Sequence, residues 1–204
     1  MSDIYFGATT SSYKRLSNLC PTGKFSVECR YQAIKFEGDT RDRFLGLESL
    51  SEDQLLKVYY ELSGKDQDKK NFWIRTPGIR MKPIFFSGIV FKMLGSLPKM
   101  KGSARKKREL VLARLLGYES TAQIMYAAEL PDVQKIDIMR EIQRERFEQS
   151  PSLKQLLLST RGCALHEAAF RGKTNLWNWN PKKPGGGDAM GKILVELREQ
   201  LIKH

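Results

Sequence analysis

Four polar side chains in one short stretch have the types and spacing of a group that could do chemistry. Glu28, Gln32 and Lys35 follow one another in steps of four and three residues, and Tyr31 lies beside them. In a helix these steps bring side chains to one face. A carboxyl group can protonate a leaving group and an amine can attack an electrophilic carbon, so such a face could be catalytic. A solvated helix face can have the same composition, and the stretch alone does not separate the two interpretations.

An apolar stripe in the same stretch predicts the element that carries these side chains. Cys29, Ala33 and Phe36 repeat the same steps one residue later, and Ser26 is a suitable N-cap. The pattern predicts a helix over residues 26–37 whose apolar face is buried and whose polar face carries the four candidates.

The spacing of apolar residues and the positions of capping and helix-ending residues predict the rest of the fold. Ser51, Ser103, Ser120 and Ser150 are expected to cap helices. Helices are predicted at 51–64, 103–117, 120–130, 133–147, 151–162 and 188–201, and strands at 4–6 and 164–170. The apolar run at 84–94 fits either a strand or a buried helix. The fold class is therefore predicted to be α+β, with residues 1–204 forming a predominantly helical single domain with a small β-sheet.

The charge balance favours a polyanionic partner. The 204 residues contain 35 Lys and Arg against 23 Asp and Glu, which gives a net charge of +12. Such an excess attracts nucleic acid or phosphorylated nucleotides. Part of it is concentrated in four consecutive residues, Arg105, Lys106, Lys107 and Arg108, which are candidates for contacts with a nucleic-acid backbone. A solvated face is the ordinary alternative for such a run.

The cysteine, histidine and hydropathy patterns bear on the cellular location of the protein and on metal binding. Cys20, Cys29 and Cys163 form no CxxC pair, and no secretory segment opens the chain. The run at 84–94 is too short to span a bilayer. The sequence therefore predicts a cytoplasmic protein that is not associated with a membrane. The two histidines have no metal-ligand spacing, so neither a metal nor another cofactor is expected.

Six short motifs occur in an order that resembles the NADAR family of YbiA-like N-glycosidases. The resemblance lies within residues 4–36 and 131–202. The motifs are Leu16-Ser17-Asn18, the 26–36 stretch, Phe147 with Gln149, Leu157-Leu158-Ser159-Thr160, Leu165-His166-Glu167 with Trp177, and Gly187-Asp188-Ala189-Met190-Gly191 with the apolar positions after it. The chain differs from the family at several positions: Cys29-Arg30 stands for His-Tyr, Arg146 for Lys, Thr174 for Asp and Asp188 for Asn. The segment 37–130 is longer than in the family and is predicted to be an enlarged basic insertion.

The resemblance implies cleavage of an N-glycosidic bond at a phosphorylated ribose. Lys35 would attack the anomeric carbon and pass through an open-chain imine. Glu28 would act as general acid and base or would orient Lys35, and Glu167 is the rival carboxylate for the acid and base role. Trp177 would stack on a purine, and the loop at Gly187 and Asp188, ahead of a helix N-terminus, would hold a phosphate through exposed N–H groups. The residues expected to bind substrate are Ser17, Asn18, Tyr31, Gln32, Glu167, Trp177, Gly187, Asp188 and Gly191.

The expected substrate is ADP-ribose attached to guanine in nucleic acid, above all in DNA, so that the enzyme would reverse ADP-ribosylation of the kind made by DarT-type toxins. A phage that counters such a defence is one expected source, and the enzyme would then act in the host cell cytoplasm. The expected partner is ADP-ribosylated DNA or a nucleotide. Two alternatives stay open: a glycohydrolase of a small phosphoribosyl metabolite such as a riboflavin-pathway intermediate, and a non-catalytic protein that binds ADP-ribose or nucleic acid.

Overall fold

A computed structural model describes residues 3–7, 12–18, 26–51, 54, 57, 58, 60, 61, 83–168, 175–180 and 187–203, with the backbone alone at 83–89. The chain divides into two compact units. The first consists of Met1–Val27 and Leu130–His204, and the second of Glu28–Glu129. The insertion predicted at 37–130 falls in the second unit except for its last residue. That unit also contains the stretch of candidate residues from Glu28 to Phe36.

Helices dominate the described part of the chain, and a small sheet accompanies them. The helices are α1 (Val27–Ala33), α2 (Gly38–Leu45), α3 (Pro83–Ser96), α4 (Gly102–Leu115), α5 (Asp132–Glu148), α6 (Pro151–Leu158) and α7 (Ala189–Lys203), and the strands are β1 (Asp3–Phe6) and β2 (Ala164–Glu167). The prediction of a mainly helical chain with a small β-sheet is confirmed. Among the described residues, no helix combines the length and the apolar character needed to cross a bilayer.

In the first unit the two strands are parallel and pair from Asp3 with Ala164 to Phe6 with Glu167. A single bridge from Ala168 to Trp179 continues the pairing on the next segment. α7 packs against β2, and α5 and α6 pack against α7. The buried apolar side chains of this unit include Phe6, Leu16, Met139, Phe147, Leu153, Leu157, Leu165, Ile193 and Leu194.

The second unit combines a hydrophobic core with a short antiparallel pairing. The chain at Lys35 and Glu37 exchanges backbone hydrogen bonds with residues 125–127: the N–H of Glu37 donates to Met125 at 3.1 Å, and the N–H of Ala127 donates to Lys35 at 2.8 Å. The core of this unit is formed by Cys29, Ala33, Phe36, Phe44, Leu47, Val90, Leu94, Leu97, Val111, Leu112, Leu116 and Ile124.

Several local predictions are confirmed. The apolar run at 84–94 lies in a helix, α3. Ser150 is the N-cap of α6, its hydroxyl accepts from the N–H of Leu153, and Pro151 is the first helical residue. The reciprocal hydrogen bonds of a capping box join Ser51 and Gln54, while most of the helix predicted after them lies outside the described residues.

Three element predictions need correction. The helix at 26–37 ends at Ala33, because the next N–H groups turn to carbonyls three residues back and the chain then enters the pairing with 125–127. The helix predicted at 120–130 is wrong: Ser120 caps a single 3-10 turn, Thr121–Gln123, and an extended segment follows. Ser103 is not a cap, since α4 begins at Gly102.

The strand predicted at 164–170 ends at Glu167, with Ala168 in the single bridge. Residues 169 and 170 lie outside the described part of the chain, as do Gly185 and Gly186 of the loop before α7.

Candidate active site

Glu28, Gln32 and Lys35 form a continuous chain of side-chain hydrogen bonds in the second unit. The amide nitrogen Nε2 of Gln32 donates to Oε1 of Glu28. The Nζ of Lys35 donates to Oε1 of Gln32 at 2.7 Å. The amide therefore uses its donor on the carboxyl group and its acceptor on the amine. The three side chains therefore lie together, although Lys35 follows the end of α1 at Ala33 and is not on the predicted helical face.

The buried apolar side chains of the same stretch hold these polar groups in place. Cys29, Ala33 and Phe36 are almost completely buried, with exposed fractions of 0%, 1% and 2%. The thiol of Cys29 also donates to the carbonyl oxygen of Phe44 at 3.4 Å. Since the buried face cannot rotate without losing these contacts, the opposite face of α1 keeps its orientation.

Burial raises the pKa of Glu28 above its usual value. Desolvation is the largest cause, and the hydrogen bond from Gln32 and the positive charge of Lys35 lower the pKa without cancelling it. A carboxyl group that holds its proton to higher pH is better suited to protonate a leaving group near neutrality. The electrostatics of the site therefore favour Glu28 as a general acid.

The amine of Lys35 lies among aromatic rings. Its Nζ is 3.9 Å from the ring centroid of Phe91 and 5.4 Å from that of Tyr31. Both distances suit a cation above a π-system, and the hydrogen bond to Gln32 suits an ammonium donor. The ring of Phe36 is a neighbour of Phe91, with centroids 6.0 Å apart. The resting form of Lys35 that these contacts fit is the protonated one.

In the first unit, Ser17, Asn18 and Glu167 are buried, and two of them are bonded to each other. The hydroxyl of Ser17 donates to Oε1 of Glu167 at 3.1 Å. Arg146, which is 1% exposed, binds the loop from behind and donates to the carbonyl oxygens of Arg15 at 2.6 Å and Ser17 at 3.2 Å. These contacts give Ser17 and Glu167 a role in the fold, and their roles toward substrate stay predictions.

The loop before α7 does not present its backbone to a phosphate as expected. The N–H groups of Gly187, Ala189 and Met190 donate to the carbonyl oxygens of residues 175–177 at 3.0 to 3.2 Å. An anion would have to displace these bonds, so the phosphate site predicted from exposed N–H groups is not formed by these three groups.

Close packing explains two glycines that were predicted to bind substrate. A Cβ atom on Gly191 would overlap the carbonyl oxygen of Leu165, and one on Gly187 would lie 2.5 Å from the carbonyl oxygen of Leu176. The absence of a side chain at both positions allows the start of α7 to approach β2 and the 175–177 segment. Trp177 is half-buried in that segment, and its stacking role stays a prediction.

Sequence reasoning missed a second polar pair, His166 with Asp188. The Nδ1 of His166 is 2.7 Å from Oδ2 of Asp188, and the imidazole stacks on Tyr5 and lies beside Trp179, with centroids 5.3 and 5.7 Å away. The pKa of Asp188 is raised overall, because desolvation by burial outweighs the lowering effect of the hydrogen bond to His166. The position of His166 inside a predicted strand is the one sequence signal for this pair. Its partner Asp188 is 22 residues away, at the predicted start of the last helix, so no local spacing connects the two.

The basic run lies on α4. Arg105, Lys106 and Lys107 are exposed, and Arg108 is half-buried. Arg105 forms an ion pair with Glu109 at 2.7 Å. The exposure that a contact with a nucleic-acid backbone requires is therefore present at three of the four positions.

No known family model matches this chain, and no curated protein and no solved structure shows significant similarity to it. Within the described part of the chain, no group of three or more His, Cys, Asp or Glu side chains is placed to hold a metal ion.

Proposed function

We propose that this protein is an N-glycosyl hydrolase that removes ADP-ribose from guanine bases of nucleic acid, above all of DNA. The observation that carries the proposal is the hydrogen-bonded chain from Glu28 through Gln32 to Lys35. It joins a partly buried carboxyl group, whose pKa is raised by desolvation, to an amine. These are the two groups that cleavage of an N-glycosidic bond needs, one for the leaving nitrogen and one for the anomeric carbon. The resemblance of the motifs to the NADAR family adds the substrate class.

In the proposed reaction, Lys35 first loses its proton to solvent, and its Nζ attacks the anomeric carbon of the ribose. The bond from that carbon to the guanine nitrogen breaks, the bonding electrons go to guanine, and the Glu28 carboxyl group supplies the proton that guanine takes up. The Glu28 carboxylate then takes a proton from the attached nitrogen and passes it to the ring oxygen as the ring opens. The result is an iminium ion on Lys35.

Water completes the cycle. It adds to the iminium carbon, the bond to Nζ breaks with its electron pair going to nitrogen, and the released aldehyde closes again to ADP-ribose. Hydrolysis leaves Lys35 protonated, and the Glu28 carboxylate regains a proton from solvent. Gln32 takes no proton in this scheme. It holds the carboxyl group and the amine at a fixed separation, which lowers the entropy cost of bringing both to one substrate.

The charge distribution supports a nucleic-acid substrate over a small metabolite. The chain has a net charge of +12, and α4 presents Arg105, Lys106 and Lys107 to solvent. Phosphates on either side of a modified base would add affinity through counterion release, from which a small metabolite gains little. We propose that the activity is cytoplasmic, in the host cell if a phage supplies the protein.

The test is to incubate the protein with an oligonucleotide carrying ADP-ribosylated guanine and with free ADP-ribosyl guanosine, and to follow both products by mass spectrometry. We expect release of ADP-ribose from the oligonucleotide, which keeps its guanine intact, and slower release of ADP-ribose from the nucleoside. The Lys35→Arg variant is the matched control, since it keeps the positive charge but not the nucleophilic amine.

Release from the nucleoside alone would favour the metabolite alternative. Binding of the oligonucleotide without release would favour a non-catalytic protein. If the protein neither binds the oligonucleotide nor releases ADP-ribose from it, the proposal is contradicted altogether.

A further inference from the structure

A half-exposed aromatic ring lies next to the candidate catalytic chain in the second unit. Tyr126 is 48% exposed. Its ring packs on Phe36, with centroids 5.2 Å apart. Phe36 is 2% exposed and stacks in turn on Phe44 at 4.7 Å. The ring of Tyr126 is thus supported from behind by a rigid aromatic core, while part of it stays open to solvent.

Backbone pairing brings this ring to Lys35. Tyr126 and Phe36 are bridge partners in the antiparallel pairing. The backbone hydrogen bonds on either side of the bridge are made by Lys35 with Ala127 and by Glu37 with Met125. In such a pair the two bridge side chains lie on the same side of the ribbon. Tyr126 therefore faces the same aromatic cluster as Phe36.

The amine of Lys35 reaches the same cluster. Its Nζ lies over Phe91, and Phe91 makes an edge contact with Phe36. Phe36 thus contacts both the ring beneath the amine and the ring of Tyr126. A continuous series of aromatic contacts, through Phe91 and then Phe36, therefore connects the amine of Lys35 to the ring of Tyr126.

We propose that Tyr126 is the stacking surface for the guanine base that leaves when the glycosidic bond breaks. This inference rests on the proposed function of the Glu28–Gln32–Lys35 chain and adds a base-binding residue to it. A planar phenol offers a base a π-face without reading its edges, and stacking on such a face adds to the affinity for any base. Burial raises the pKa of Tyr126, so the phenol stays neutral and brings no negative charge near the phosphates.

Two variants and a control test the inference. Tyr126→Leu should raise KM for the ADP-ribosylated oligonucleotide and weaken the binding of guanosine monophosphate, each about tenfold, while kcat changes less. Tyr126→Phe keeps the ring and should keep both constants close to wild type. Met125→Leu is the matched control, because Met125 is the neighbouring exposed side chain, at 53%, and has no ring.

A measurement on the wild type avoids dependence on a variant that fails to fold. Guanosine monophosphate should shift the ring proton resonances of Tyr126 upfield in the NMR spectrum, with Tyr126→Phe used for their assignment. Unchanged KM and nucleotide affinity in a folded Tyr126→Leu variant, or the absence of this shift, would overturn the inference. If the wild type cleaves no substrate, the proposed function fails, and the nucleotide measurements still decide whether Tyr126 binds a base.

Discussion

The two units use buried polar side chains in different ways. In the first unit, Arg146 donates to carbonyl oxygens of the 15–17 loop, and Arg198 donates to the carbonyl oxygens of Thr160 at 2.7 Å and Cys163 at 2.9 Å. In the second unit, Glu28 and Lys35 both hydrogen-bond to the side-chain amide of Gln32.

The difference separates side chains that hold a fold from side chains that can act. A guanidinium bonded to several backbone carbonyls cannot leave them without exposing buried acceptors, and so it is committed to the structure. A carboxyl group and an amine that share one amide can exchange that bond for a substrate at lower cost. We therefore expect variants of Arg146 and Arg198 to change mainly stability, and variants of the candidate chain to change mainly activity.

The largest expected effect is the loss of activity in Lys35→Ala. Removing the nucleophile should lower kcat by about a thousandfold or more, while the midpoint of urea unfolding changes little because the amine is near the surface. Single-turnover assays on the oligonucleotide measure this loss. Lys92→Ala, which removes an exposed lysine of α3, is the control for the change in net charge. Equal activity in the two variants would remove Lys35 from the mechanism.

Arg146→Leu should give the largest change in stability. It leaves buried carbonyl oxygens of the 15–17 loop without their donor, and we expect the free energy of unfolding to fall by about 3 kcal/mol. Urea unfolding at neutral pH measures it. Arg144→Leu on the same helix removes an exposed arginine that pairs with Glu141, and it should cost about 0.5 kcal/mol or less. Similar losses in both variants would show that Arg146 does not have the structural role assigned to it.

Glu28→Gln should lower kcat by about a hundredfold, since the general acid is lost. It should also change how stability depends on pH. The pKa of Glu28 is raised in the folded protein, so the stability that its proton contributes is complete below pH 4.5 and is lost as the pH rises through the folded pKa. The variant lacks this loss. Its free energy of unfolding should therefore rise relative to wild type from pH 4.5 upward, and a constant difference would contradict the burial of a titrating Glu28.

The smallest effect is expected from neutralising Arg105, Lys106, Lys107 and Arg108 together. Activity on the oligonucleotide at low salt should fall about tenfold and its dependence on salt should become shallower, because phosphate contacts are lost. Activity on ADP-ribosyl guanosine should be unchanged, which makes the nucleoside the internal control. Equal losses on both substrates would contradict a role for α4 in contacts with nucleic acid.

Local sequence patterns correctly predict the features of this structure that depend on residues close together in the chain. The buried stripe of Cys29, Ala33 and Phe36, the closeness of Glu28 to Lys35, and the cap at Ser150 all follow from spacings of a few residues. Intrinsic preferences act at that range, and the structure satisfies them.

The parts that sequence reasoning missed depend on distant contacts. The early end of α1 and the extended segment after Gln123 arise together, since the chain at 35–37 pairs with 125–127. The N–H groups before α7 are taken by carbonyls of 175–177, and Asp188 is oriented by His166. None of these partners is visible in a local pattern, because tertiary hydrogen bonds outweigh local preference at these positions.

The most direct test of the central claim is to trap the covalent intermediate. Borohydride added during turnover of the ADP-ribosylated oligonucleotide should reduce the imine, and peptide mass spectrometry should find the ribose-derived adduct on the peptide that contains Lys35. The same treatment of Lys35→Ala should give no adduct. An adduct on another lysine, or continued turnover by wild type with no adduct at any residue, would contradict the assignment of Lys35 as the nucleophile.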